Sequence, residues 1–309
     1  MESPTEGSMS VHQFFNRFPD ESAARAHVER LRWGDEPICV HCGGERIAFV
    51  KDETPQPYRC KDCRKFFSVK TGTLFHSANV GLREILFTIY LMTVAKKGMS
   101  SCELARILGV TQKTAWYLEH RIREALDTDP VVFSGIVEVD ETYIGGKAEN
   151  MHKSVRARRI QGRGASGKQA VVGMLNRETG VVTAEPIAAT SAPALQGYVG
   201  SRVEPNTTVY TDGHAAYLGM KMVRHEAVAH SIGEYVRGQA HTNGIESFWA
   251  LLKRGYIGTF HWMSEKHLHR YVNEFAVRHN RRDWTTAVTM NETMRGSFSH
   301  TLGWKRLIA

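Results

Sequence analysis

Two short β-like runs in this chain end on an aspartate, and that repetition narrows the folds open to it. The first is Gly135-Ile136-Val137-Glu138-Val139-Asp140 and the second Thr207-Thr208-Val209-Tyr210-Thr211-Asp212. A helix-like run from Asn243 to Lys253 carries Glu246. Neighbouring strands bring their ends together, so two aspartates and a helical acid can converge in one acidic pocket. Such a pocket suits hard divalent cations, because Mg²⁺ takes oxygen ligands and is held by one or two carboxylates plus substrate phosphates. Two such ions can clamp the attacking and leaving oxygens of a phosphodiester.

The region around these acids predicts an α/β fold. Strand candidates run Ile136 to Ile144, Gln169 to Asn176, Val181 to Ile187 and Thr208 to Asp212, with one more near Lys221 to His230. Asn176-Arg177-Glu178-Thr179-Gly180 reads as a hairpin turn. Ser191 to Val203 reads as a helix. The strands are apolar enough to be buried on both faces, which predicts a mixed sheet flanked by helices.

The whole chain is nevertheless basic. Its 309 residues hold 40 Lys plus Arg against 32 Asp plus Glu, a net charge of +8. That balance favours a polyanionic partner, most simply nucleic acid. The charge is concentrated between Lys147 and Lys168, where Lys147, Lys153, Arg156, Arg158, Arg159, Arg163 and Lys168 face one acid, Glu149. This segment reads as a long flexible loop between the first two strands. It is either a solvated insertion or an arm that follows the DNA backbone and orders on binding. Its attachment beside the acidic strand favours the arm.

Four of the five cysteines form two C-x-x-C units, Cys39/Cys42 and Cys60/Cys63, with 17 residues between them. That spacing is expected of a four-thiolate zinc site. The alternative, a redox dithiol pair, lacks the βαβ pattern such a motif needs. Short strand-like pieces around the cysteines predict a structural zinc ribbon, with His41 exposed rather than ligating. Lys51, Arg59, Lys61, Arg64 and Lys65 give the ribbon a basic surface. Further on, Ser101 to Tyr117 reads as helix, Gly-containing turn, helix. Thr111, Gln112 and Lys113 would open the second helix, where a recognition helix presents base-reading side chains. The alternative is a helical hairpin that only packs.

The most apolar stretch, Ile85 to Ala95, is too short to span a bilayer. The N-terminus is polar and has no secretory pattern. A cytoplasmic, nucleoid-associated protein with no membrane partner is the expectation. The divisions expected are 12–70 for the ribbon, 71–130 for the helix-turn-helix region, 131–285 for the catalytic domain and 286–309 for a tail.

Val139-Asp140-Glu141-Thr142-Tyr143-Ile144-Gly145-Gly146-Lys147 resembles the signature of a large group of bacterial insertion-sequence transposases. Gly162-Arg163-Gly164 with Gly167-Lys168, Tyr210-Thr211-Asp212-Gly213, and His241-Thr242-Asn243-Gly244-Ile245-Glu246-Ser247-Phe248-Trp249 with Lys253 resemble later motifs of the same group. The resemblance spans roughly residues 12 to 285. It implies an RNase H-like domain with an Asp-Asp-Glu site, cleavage at element ends, and strand transfer into target DNA. The partners implied are the element's terminal inverted repeats, target DNA, and further copies of the chain in the DNA complex.

On that reading Asp140, Asp212 and Glu246 hold catalytic Mg²⁺ or Mn²⁺. Between the aspartates lie 71 positions, and between Asp212 and Glu246 lie 33. Asn243 shares the helical face of Glu246, and some members of the group use an asparagine in this role. Glu246 is preferred because a carboxylate offsets cation charge better than an amide. Lys253, two helical turns past Glu246, can reach a phosphate. Glu141 points to the opposite face of the strand from Asp140, whereas Glu138 shares its face as a supporting acid. Two other functions fit part of the sequence: an RNase H-like nuclease or resolvase that cuts without joining, and a zinc-ribbon DNA-binding regulator without catalysis.

Overall fold

The computed structural model describes residues 8–126, 130–146, 152–159, 167–220, 223–228 and 241–309. The chain forms two compact units, Met1–Asp127 with Asp283–Ala309, and Thr128–Arg282.

The first unit opens with two helices that precede the ribbon, α1 (Val11–Arg17) and α2 (Glu21–Trp33). Ser10 and Gln13 form a capping box on α1, and Asp20 caps α2. The ribbon follows as three antiparallel strands, β1 (Ile47–Phe49), β2 (Tyr58–Cys60) and β3 (Phe66–Phe67). Three helices come next: α3 (Leu82–Val94), α4 (Ser101–Leu108) and α5 (Gln112–Ala125). Ser100 caps α4 through the Glu103 amide, and Gly109 ends it in left-handed backbone (φ 66°). That conformation is cheap for glycine, which has no Cβ to clash. The helix, glycine turn and helix fall where the sequence placed them.

The second unit is built on a five-stranded mixed sheet. Its strands are β4 (Ile136–Ile144), β5 (Gln169–Asn176), β6 (Val182–Ile187), β7 (Thr208–Asp212) and β8 (Arg224–Val228), in the order β6-β5-β4-β7-β8. β4, β5 and β6 form an antiparallel meander, while β7 and β8 add in parallel to β4. A short helix, α6 (Lys153–Arg159), lies inside the basic segment. This corrects the expectation of a plain loop there: consecutive Lys, Arg and Ala are good helix formers. One sheet face packs α7 (Ala192–Gly200) through Leu195, Tyr198 and Val199 against Val137, Val139 and Val209. The other packs α8 (Asn243–Gly255) and α9 (Leu268–Asn280) through Ile245, Phe248, Trp249, Tyr271 and Phe275 against Val171 and Leu175. Burial on both faces explains the continuous apolar strands. The fold is the RNase H-like mixed sheet flanked by helices that the motifs implied.

The chain then returns to the first unit. There α10 (Thr286–Gly296) contributes Met290 and Met294 to the core formed by Phe14, Val28, Ile85, Leu86 and Ile122. α11 (Trp304–Ile308) buries Leu307 beside Leu74, Ala125 and Leu302. Residues after Thr285 carry little signal in the sequence, because their packing partners lie more than 150 positions away.

Candidate active site and zinc centre

β4 and β7 run parallel, with Val139 paired to Thr211. The next pair along is Asp140 and Asp212. Alternation puts both on the face opposite Val137, Val139 and Val209, toward α8. Their carboxylates and that of Glu141 lie within 4.8 Å of one another. Glu141 starts on the other face, as the alternation requires, and its Oε2 accepts from the Tyr217 hydroxyl at 2.7 Å. Even so, its carboxylate joins the cluster. Strand alternation alone sends Glu141 away from Asp140, but the glutamate side chain is long enough for its carboxylate to reach the neighbouring acids. Asp212 Oδ1 accepts from the His214 amide at 3.0 Å.

This crowding has an electrostatic signature. Burial, then the charges of Asp212 and Glu141, push Asp140 up to about 7. Burial also raises Glu141. Burial and the adjacent Glu141 charge raise the Tyr217 hydroxyl, so Tyr217 stays a donor. Carboxylates that repel one another this strongly are stabilised together by a cation. The oxygen-only donor set fits a hard divalent metal.

Helix α8 is fixed against the acids by three contacts. The Ile245 amide donates to Glu138 Oε2 at 3.0 Å. Glu138 is 1% exposed and pairs with Arg177 at 2.7 Å. Arg177 in turn donates to the His241 carbonyl at 2.6 Å. One turn on, the Trp249 indole donates to Asp140 Oδ2 at 3.0 Å. Its ring lies over Gly173, the β5 residue paired with Asp140. A Cβ on Gly173 would stand 2.6 Å from that ring, so the strand needs glycine for the indole to reach the acid. Trp249, Arg177, Tyr217 and Gly173 escape the sequence reading. Trp249 alone had a signal, three residues past Glu246 on the same helical face.

The remaining expected site residues are placed as follows. Glu246 is exposed in the first turn of α8 and accepts from the Thr242 hydroxyl at 2.9 Å. It stands outside the 4.8 Å cluster, yet its charge also raises Asp140. Asn243 is exposed at the start of α8, and Lys253 is exposed in its last turn. Arg156 and Lys168 are exposed. Lys147, Arg163 and the side chains of Arg158 and Arg159 lie outside the described residues, as do residues 229–240. In the first unit Thr111 caps α5 through the Thr114 amide, and Gln112 donates to Ser101 at 2.8 Å. The Lys113 ammonium sits 4.6 Å from the centre of the Trp304 ring. All three are exposed, but α5 is buried from Leu118 to Arg123. Only its first turn is therefore accessible to a groove.

The four cysteines of the ribbon also cluster within 4.8 Å. Cys39 and Cys63 sulfurs are 3.6 Å apart, and Cys42 and Cys60 sulfurs 3.7 Å. A tetrahedron of ~2.3 Å zinc–thiolate bonds has edges of about 3.8 Å, so the set fits zinc. Two matching knuckles create it: Gly43 (φ 75°) follows the first pair and Arg64 (φ 61°) the second. Burial raises the Cys39 thiol, but the His41 and Cys42 amides outweigh it and bring it down to about 7; at Cys42 the Gly44 amide lowers the thiol but the Cys39 and Cys63 sulfurs outweigh it and push it up to about 12. The His41 ring is 3.2 Å from the Phe66 carbonyl and takes no part in the cluster. Among the described residues no helix is long and apolar enough to cross a membrane.

Residues 132–280 match the family model of the ISXO2-like transposase domain, and residues 19–66 match the transposase zinc-ribbon domain. An uncharacterized protein in transposable element ISH50 of Halobacterium salinarum is 30% identical over 271 residues, covering 84% of this chain and 91% of that protein.

Proposed function

The chain belongs to the ISXO2-like transposase family, and from that premise we propose that it cuts DNA at the ends of a mobile element and joins the freed ends to target DNA. The observation that carries this reading is the set of Asp140, Glu141 and Asp212 carboxylates within 4.8 Å, just past the last paired residues of the parallel β4–β7 ladder. Asp140 and Asp212 serve as the principal ligands. Glu246 completes the set from α8, the helix whose position Trp249 and Glu138 fix. Glu141 has one oxygen committed to Tyr217 and supports the cluster from the opposite side. Mg²⁺ or Mn²⁺ bound there supplies Lewis-acid activation of the phosphodiester and of its attacking oxygen.

The chain's own residues position the reactants. Trp249 keeps one Asp140 oxygen turned into the cluster. Lys253, on the exposed side of α8, contacts a phosphate near the scissile bond, and Asn243 offers an amide at the helix start. The four cysteines hold a structural zinc that keeps the ribbon folded, which supports DNA contacts by Lys51, Arg59 and Lys61. Thr111, Gln112 and Lys113 contact DNA from the first turn of α5. The basic segment with Lys147, Arg156, Arg158, Arg159, Arg163 and Lys168 follows the backbone beside the acids. Pairing two element ends calls for at least two copies of the chain.

The test is a strand-transfer assay on labelled DNA copied from the sequence flanking the reading frame. Wild type is compared with Asp212→Asn in Mg²⁺ or Mn²⁺. Joined products from the wild type alone are expected. Cleavage without joining would move the assignment to a nuclease, and binding without either reaction to a regulator.

A further inference from the structure

Helix α8 does not end in a plain cap. After Gly255 the chain widens into one π-helical turn, Tyr256–Phe260, and His261 follows in left-handed backbone (φ 55°). The His261 amide closes the turn on the Tyr256 carbonyl at 2.7 Å. Positive φ is uncommon for a residue with a Cβ, and π turns cluster at functional sites. Tyr256 and Met263 anchor the two sides of the turn in the cluster that also holds Ile144. Between these anchors Ile257 is 67% exposed and Trp262 61% exposed. A pinned turn thus holds two large apolar side chains in solvent.

Its position follows from α8. The helix runs alongside β4: its start meets Glu138, its middle meets Asp140, and its end joins the cluster with Ile144. From Trp249 to Tyr256 is seven residues, a rise of about 10 Å. The β4–β5 hairpin opens at the same edge, where Lys168 abuts Gly145. In the chain flanking the turn, residues 253–266, Lys253, Arg254 and Lys266 are exposed against one exposed acid, Glu265.

We propose that this turn is a stacking platform for an unpaired DNA strand, with Trp262 lying on the face of a base and Ile257 beside it, beyond the acids at the far end of α8. That the strand is the one leaving the active site rests on the transposase reading above. The chemistry favours single-stranded nucleic acid: a solvent-facing aromatic with exposed cations in the same stretch of chain can bind bases by stacking and their phosphates by charge. The platform tolerates any sequence, since every base offers a π face.

The experiment uses the full-length protein and single-stranded oligonucleotides copied from the flanking DNA, with 2-aminopurine stepped through successive positions and divalent ions omitted. Wild type quenches the fluorophore at one or two adjacent positions. Trp262→Ala removes that quenching and weakens single-strand binding roughly ten-fold, while duplex affinity and thermal midpoint stay unchanged. Trp262→Phe restores both signals. Equal quenching and affinity in Trp262→Ala, or no position-dependent quenching in the wild type, overturns the platform. The strand-transfer assay is scored separately: an inert wild type refutes the transposase reading, whereas an active wild type with a silent Trp262→Ala refutes the platform alone.

Discussion

Asp140 is pressed on one side by burial and the charges of Asp212 and Glu141, and held on the other by the Trp249 indole. A carboxyl raised to about 7 is ionised at a cost between the ordinary carboxylate range and neutrality, so metal-free protein loses stability as pH rises through that window. Asp140→Asn removes the cost. Without added divalent ion, its melting temperature should exceed that of the wild type by several degrees at pH 8 and match it near pH 4. Mg²⁺ should then raise the wild-type midpoint at pH 8 and leave the variant unmoved. Calorimetry across that pH range decides it; a constant offset would mean that the acid is not under this strain. Asp140→Asn should also abolish cleavage while retaining DNA affinity. Trp249→Phe keeps an aromatic ring on this face of α8 but withdraws the outer indole ring from Gly173 and deletes a bond to a charged group, of about 1.5–3 kcal/mol. Single-turnover cleavage should fall ten-fold or more, with circular dichroism unchanged.

Among the elements, α8 depends on a close approach to β5. Gly173→Ala places a methyl against the Trp249 ring, and overpacking of this kind costs about 1–3 kcal/mol. Urea unfolding should show that loss, and cleavage should fall with it because the indole is displaced; an undiminished midpoint would show that α8 can lift away freely. The ribbon depends on its metal in a different way. Four thiolates around a core of Tyr58 and Phe67 are too small a cluster to stand alone. Cys60→Ser should abolish stoichiometric zinc and expose the amides of β1 and β2 to exchange, as hydrogen-exchange mass spectrometry would read. The elements themselves were largely legible: β4, β5 and β7 match their expected bounds because alternation and flanking turns are local signals. Helices α1 and α2 stand within the stretch expected to be ribbon; Ser10, Gln13 and Asp20 are their local start signals, but the four-cysteine pattern dominates that part of the sequence.

At the scale of the whole molecule, charge and chain path matter most. A net charge of +8 on a chain with an acidic site predicts DNA binding governed by phosphate contacts. Affinity for unrelated duplex should drop at least ten-fold between about 50 and 200 mM salt, as fluorescence anisotropy would show; a flat response would contradict a basic arm on the backbone. The return of residues 283–309 to the first unit gives a second expectation. Deleting them removes Met290 and Met294 from its core and the close seating of Gly296 on Ala125. Exchange protection should then collapse in α3 and α5 but persist in β4 and β5.

Residue type and spacing by themselves determined the zinc ligands, the strands that carry Asp140 and Asp212, and the mixed sheet. Each of these is written in short stretches of the chain. Only the tertiary structure decided which side chains serve the acids. Gly173 meets Asp140 through strand register, Trp249 reaches it across a helix–sheet contact, and Arg177 ties a hairpin to the start of α8 through Glu138. Those contacts span 33 to 109 positions, and no local period encodes a partner that the folded backbone alone brings near.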